Sequence, residues 1–228
     1  MRILILFLLL GHTLFAQLNE QCTINVHIRF GQSDLQVGDT CYPIFQTDSL
    51  RLEAVKFYMA GIELWKDNKR VWAEPNSFHL IDATEPASMK IKLPISNAIQ
   101  YNQLKFSIGI DSATNTAGAM GGDLDPTKGM YWTWQSGYIN VKMEGTYSRS
   151  TARNKKFQFH IGGYKYPYAA VQPISLPVQS NSGIHLALNL EQLLERLFTD
   201  NQFEIMSPCQ EAVRVSQQMA SLFTLMNP

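Results

Sequence analysis

Apolar and polar residues alternate with a period of two through most of the chain, and this restricts the fold more than any other feature. In "TINVHIRF", Ile24, Val26, Ile28 and Phe30 fall on one face, and Asn25, His27 and Arg29 fall on the other. Successive side chains of a strand point to opposite sides, so this pattern buries one face and wets the other. The runs "LRLEAVKFYMAGIELW" (50–65), "QLKFSIGI", "GYINVKMEG", "KKFQFHIGG" and "GIHLALNL" behave alike, and turns rich in Gly, Pro and Asn separate them. Gly61, inside the longest run, marks a bulge or bend. The expectation is an all-β chain folded as an antiparallel, immunoglobulin-like β-sandwich.

Two segments leave the alternation. In "LEQLLERLF" (190–198), Leu190, Leu193, Leu194 and Leu197 recur at helical spacing. Further on, Ser207 as N-cap and Pro208 at the first helical position open a C-terminal helix. Its Ala212, Val215, Met219 and Leu222 share one side. Both helices are expected to cover an edge or end of a sheet.

The first residues, "MRILILFLLLGHTLFAQ", combine Arg2 with a short apolar run and small residues. The run is too short to span a bilayer, so residues 1–16 read as a secretory signal peptide. Residues 17–228 then form a single domain. Basic and acidic side chains of that domain number 18 and 19 once Arg2 is removed. Such a balance gives no electrostatic reason to expect nucleic acid or anionic lipid as partner. No later segment is apolar enough to cross a membrane. Export permits disulfides, and the odd set Cys22, Cys41 and Cys209 is expected to give one bridge and one buried thiol, with the pairing open.

The chemistry concentrates in "DLDPTKGMYWTWQSGYINVKMEG" (123–145). If residues 130–134 are extended, Met130, Trp132 and Trp134 share one face, and Tyr131, Thr133 and Gln135 the other. Three readings stand open: a tryptophan plug in the core, a stacking surface for a glycan or peptide, or an indole that undergoes oxidation. The preceding irregular stretch, 111–130, is long for a compact domain, and such loops are usually functional or mobile. Asp111, Asp123 and Asp125 suit turn formation ahead of Pro126 better than a calcium loop. His27, His79, His160 and His185 show no H-x-H or H-x-x-x-H spacing, so a metal site has to be assembled from separate strands. Imidazoles gathered that way suit copper or zinc. Nucleophile elbow, P-loop and paired-carboxylate patterns are lacking, so no catalytic activity is expected.

The segment "GIDSATNTAGAMGGDLDPTKGMYWTWQSGYINVKMEG" resembles the MbnP-like proteins, a methanobactin-associated family of exported copper-binding proteins. The pattern is an asparagine loop, a "DLDP" turn, M-x-W-x-W and a G-Y before a strand. Around it follow, in order, "KFYMAGIEL", "FHLID", "FQFHIGG" with "YPY", and "IMSPCQEA" at the final helix, so the likeness spans nearly all of the chain after the signal. The resemblance implies a β-sandwich with a mononuclear copper site that scavenges, stores or hands over copper in the periplasm or outside the cell. It implies a tryptophan oxidised to kynurenine by a partner di-haem enzyme of the cytochrome c peroxidase type. Carried onto this chain, Trp132 and Trp134 become candidates for modification and for the metal site. His79 and His160 become its candidate ligands, with His27 and His185 weaker. Asp82 is the expected hydrogen-bond partner of a ligand imidazole.

Overall fold

The computed structural model describes residues 22–95, 99–179 and 183–226. The expected signal peptide and its cut site lie outside the described residues. Along the chain the strands are β1 (Cys22–Phe30), β2 (Ser33–Asp34), β3 (Cys41–Ile44), β4 (Asp48–Lys66), β5 (Lys69–Ala73), β6 (Phe78–Asp82), β7 (Lys90–Leu93) and β8 (Gln103–Ile108). They continue as β9 (Tyr131–Trp132), β10 (Gly137–Tyr147), β11 (Lys156–Gly162), β12 (Gln172–Pro177), β13 (Ile184–Asn189), β14 (Glu204–Ile205) and β15 (Phe223–Leu225). The helices are α1 (Ser112–Ala117), α2 (Glu191–Thr199) and α3 (Gln210–Ser221).

The smaller sheet runs β15-β13-β1-β2, with β7 also on β1; the larger runs β12-β8-β4-β10-β11-β14. The long β4 is the spine of the larger sheet. Its one flank takes β10 and then β8, and its other takes β3, β6 and β5. Alternation in the sequence becomes alternation in burial: Ile24, Val26, Ile28 and Phe30 of β1 are buried, and the residues between them are half exposed. Facing them across the core are Phe57 and Met59 of β4, Phe106 of β8, Val141 of β10 and Phe159 of β11. Phe223 of β15 meets Phe57 and Phe106 edge-on, with ring centroids 5.8 and 5.4 Å away. Gly61 has φ +63° and lies in a register shift between Ala60 and Glu63, so it is the bulge its position suggests.

The all-β sandwich with its C-terminal helix is therefore what the alternation implies. Two pairings depart from the antiparallel expectation: β1 with β13, and β11 with β14, are parallel. Antiparallel order is forced only where a short turn joins two strands, and long stretches of chain separate both of these pairs. The helix expected at 190–198 is α2, which buries Leu193, Leu194, Leu197 and Phe198. Phe198 lies flat on Tyr147, 4.2 Å between centroids. The last helix begins later than its sequence suggests. Cys209, with extended backbone, is the N-cap, and its Sγ accepts the Ala212 N–H at 3.4 Å, so Ser207 and Pro208 stay outside. Ala212, Val215 and Met219 face the core as expected. The expected disulfide is not formed, and all three cysteines are free thiols. Cys22 Sγ meets the Tyr101 hydroxyl at 3.2 Å, Cys41 is exposed and Cys209 caps α3.

Candidate functional site

The stretch 111–136 folds back over the outer face of the larger sheet. Asp111 caps α1 by accepting the Thr114 N–H, and Asp125 caps the turn Pro126–Lys128 by accepting the Thr127 N–H. Asp123 accepts the Leu80 N–H at 3.1 Å and pairs with Lys128 at 2.6 Å. All three acids therefore serve turns and the seam to β6, as their position before Pro126 implies. Two buried asparagines fasten the loop to β10. Asn115 donates to the Ile110 and Asp111 carbonyls and accepts the Tyr138 N–H, and Asn140 accepts the Ile110 N–H. Under the loop lies a second apolar cluster of Tyr58, Leu80, Ile110, Leu124, Met130, Trp132, Tyr138 and Ile139. Burial there pushes the Tyr58 hydroxyl well above the usual tyrosine range, and that hydroxyl donates to the Asp123 carbonyl.

The two tryptophans sit in different environments. Trp132 is 5 % exposed and Trp134 is 65 % exposed, although their rings are only 5.6 Å apart between centroids, tilted by 45°. The six-membered ring of Trp132 lies on Gly162, where a Cβ would stand 2.6 Å from it. Glycine is required at 162 because the indole occupies the space of a side chain. The Trp132 indole N–H is buried and has no hydrogen-bond partner among the described residues. A lone buried donor costs about 1–3 kcal/mol, so this position is held by its surroundings at some expense.

His160 precedes Gly162 by two residues on β11 and shares its face, so it stands roughly 7 Å along the strand from the Trp132 contact. It is buried, and its Nε2 lies 2.6 Å from Glu144 Oε1. Glu144 also meets Lys142 at 3.4 Å. The hydrogen bond to His160 is the main cause that lowers the Glu144 carboxyl to about 2, against the opposing effect of burial. This carboxylate fixes Nε2 as the donor and leaves the lone pair on Nδ1.

His79 and His160 are not brought together. The register His160–Lys142–Lys56–Asp82 crosses β11, β10, β4 and β6 on the outer face. Three strand spacings separate its ends by roughly 14 Å. His79 lies three residues from Asp82 on β6, an odd step, so its side chain leaves the sheet on the other side. It pairs with Glu74 at 2.7 Å instead. Asp82 is likewise not an imidazole partner, since it binds Lys56 at 2.7 Å and Thr84. Glu144 and Glu74 hold the role expected of it. His27 and His185 lie on the smaller sheet and contact each other, Nε2 to Nδ1, at 3.2 Å. Among the described residues no three His, Cys, Asp or Glu side chains converge as a metal site. Of the four histidines, His160 is the one beside the tryptophans. In hindsight the sequence carried one signal for this arrangement: the "HIGG" end of β11, where glycine permits a close approach.

Tyr131 is half buried against Tyr138, 5.0 Å between centroids, so Tyr131, Trp132 and Trp134 do not form one open stacking surface. Further exposed aromatics are Tyr166 and Tyr168. With Gln135, Tyr164 and Pro208 they line a shallow cavity of about 210 Å³. A cleft of about 520 Å³ opens beside the loop along His79, Lys56, Asp82, Asp123 and Lys128; the last four pair as Lys56–Asp82 and Lys128–Asp123.

A two-sheet sandwich whose larger sheet is roofed by a loop carrying W-x-W defines the class of protein. A family model described as MbnP matches residues 19–211, and the chain belongs to the MbnP family. Among solved structures it is similar to MbnP from Methylosinus trichosporium, at 14 % identity and a TM-score of 0.52, over 77 % of this chain and 78 % of the other. At that identity the likeness is one of fold. No curated protein sequence matches the chain. No helix among the described residues is long and apolar enough to cross a membrane.

Proposed function

We propose that this MbnP-family chain is an exported copper-binding protein, not itself an enzyme, that scavenges, stores or hands over copper in the periplasm or outside the cell. The observation that carries the reading is the setting of Trp132: buried on Gly162, beside His160, with an unpaired indole N–H and the exposed Trp134 against it. The unmodified indole offers a metal no lone pair. Oxidation to kynurenine breaks the C2–C3 bond of the indole, releases C2 as formate and reduces two peroxide molecules, with one water left over; it leaves an arylamine and a ketone, which add nitrogen and oxygen donors next to the His160 imidazole. Copper capture at this face therefore depends on the modification. A di-haem partner of the cytochrome c peroxidase type is the proposed catalyst of this oxidation, with peroxide as the oxidant, and Trp134 is an exposed ring in contact with the target. Glu144 orients His160 for ligation through Nδ1.

A second reading is favoured by one observation, the shallow cavity lined by the exposed Tyr166 and Tyr168, which suits a glycan or peptide. The test is an intact mass of protein from its native host, with peptide mapping over 123–145 and metal analysis of the same sample. The copper reading expects one carbon replaced by one oxygen at Trp132, with bound copper. Unaltered tryptophans and no copper overturn it. Metal-free quenching of tryptophan emission by an added glycan would then favour the second reading.

A further inference from the structure

We propose that the outer face of the smaller sheet carries a separate site for monovalent copper, formed by His27, His185 and the thioether of Met226. It goes beyond the tryptophan face and needs no oxidised residue. The two histidines come from strands far apart in the chain, β1 and β13, which run parallel. Asn25 pairs with His185 and His27 pairs with Ala187, so the imidazoles are diagonal neighbours. Both lie opposite in parity to the buried Ile24, Val26 and Ile28, on the outer side. Their rings are nearly parallel, 21° apart, with centroids 5.4 Å from each other.

The distance between the nitrogens is the telling quantity. His27 Nε2 and His185 Nδ1 are 3.2 Å apart. Two imidazole nitrogens bound to one tetrahedral ion at about 2.0–2.1 Å stand roughly 3.3 Å from each other. The pair therefore has the spacing of two ligands, and the centroid separation of 5.4 Å places the two nitrogens almost head-on, as in a hydrogen bond. Exchange of the shared proton for a metal ion requires each ring to tilt towards a common point off the nitrogen–nitrogen line.

Met226 supplies the third donor and sets the choice of metal. Its N–H donates to the His185 carbonyl at 2.9 Å, which extends the antiparallel pairing of β13 with β15 by one residue beyond Leu186–Leu225. Residues directly opposite on antiparallel strands project to the same face, with Cβ atoms about 4.5–5.5 Å apart. The long, unbranched Met side chain spans such a gap readily. Thioether and imidazole together favour soft Cu(I) over hard divalent ions. All three donors are neutral, and Lys90 and Lys92 occupy the neighbouring strand opposite Asn25 and Thr23. A single positive charge is tolerated better there than a double one.

The test uses the full chain made in a host without the di-haem partner, so that Trp132 stays intact. Cu(I) is titrated anaerobically against a chromophoric Cu(I) chelator. The expected result is one tightly held equivalent. Removing a direct ligand should cost more than the roughly 10–100-fold that loss of a ligand's hydrogen-bond partner costs. The double variant His27→Ala/His185→Ala should lose the equivalent. Met226→Leu, which keeps size and packing, should weaken it and remove the sulfur contribution from the copper X-ray absorption spectrum. The proposal is overturned if the intact-tryptophan chain holds no Cu(I). It is overturned equally if folded chains lacking both imidazoles hold it as well as the parent. Failure here leaves the Trp132 reading untouched, because that reading concerns protein carrying the oxidised residue.

Discussion

The two proposed metal sites, on the outer faces of the two sheets, differ in opposite ways. On the larger sheet, Trp132 is buried on Gly162 as part of a loop fastened by Asn115 and Asn140, His160 is buried on the same strand as Gly162, and among the described residues no three His, Cys, Asp or Glu side chains converge there. On the smaller sheet, His27 and His185 are half exposed and already at ligand spacing, with no roof of the same kind. The buried face has structure in excess of its chemistry; the open face has chemistry with little structure around it. That contrast teaches where maturation matters. A site that must be completed by oxidising a residue gains from a rigid frame that keeps the altered group in place. A site complete as translated needs only two strands in register.

The comparison breaks first at Trp132. Truncation to Ala removes a large buried ring and should cost about 3–5 kcal/mol in urea unfolding. Trp132→Phe should cost clearly less, since it also removes the unpaired N–H. A Trp132→Ala cost near zero would mean that the loop face is not a packed one. Next in size are the supports of that face. Gly162→Ala drives a methyl into the Trp132 ring and should cost about 1–3 kcal/mol, the usual penalty of overpacking. Asn115→Ala strands the buried Tyr138 N–H and should cost a similar amount, about 1–3 kcal/mol. Both are read as shifts in the unfolding midpoint.

The pH dependence sharpens the picture of Glu144. Its folded carboxyl is depressed to about 2 from an ordinary 4.5, first by the His160 hydrogen bond. Between those values the unfolded chain binds the proton and the folded chain does not. The contribution of Glu144 is thus present above about pH 4.5 and is lost as the pH falls towards 2. Glu144→Gln should flatten the acid limb of the stability curve over that window. The smallest effect is expected at Trp134, where truncation to Ala should change stability by less than about 0.5 kcal/mol because the ring is largely solvated.

The sheets were legible because alternation reports burial directly, and β1 shows it residue for residue. The bulge at Gly61 and the helix at 191–199 were legible for the same reason: local pattern and local structure coincide there. The parallel pairing of β1 with β13 was not, since strand order depends on packing between distant segments. The start of α3 was misplaced because a Cys cap imitates Ser only once its backbone is extended, which no local pattern announces. The site was legible in part. The W-x-W segment marked the right loop, yet the difference between Trp132 and Trp134 arises from Gly162, on another strand. The histidines were visible singly, but parity and register decide which of them meet. Asp82, expected to partner a ligand imidazole, binds Lys56, while His79 three residues before it on β6 binds Glu74.

The most direct measurement is the copper content of the chain produced alone and of the chain produced together with the proposed di-haem partner, each paired with a mass map of residues 123–145. The account predicts one further copper ion per chain when Trp132 carries the oxidised ring, and loss of that ion alone in Trp132→Phe. An equal copper content in the two preparations, with Trp132 oxidised in one of them, would contradict it.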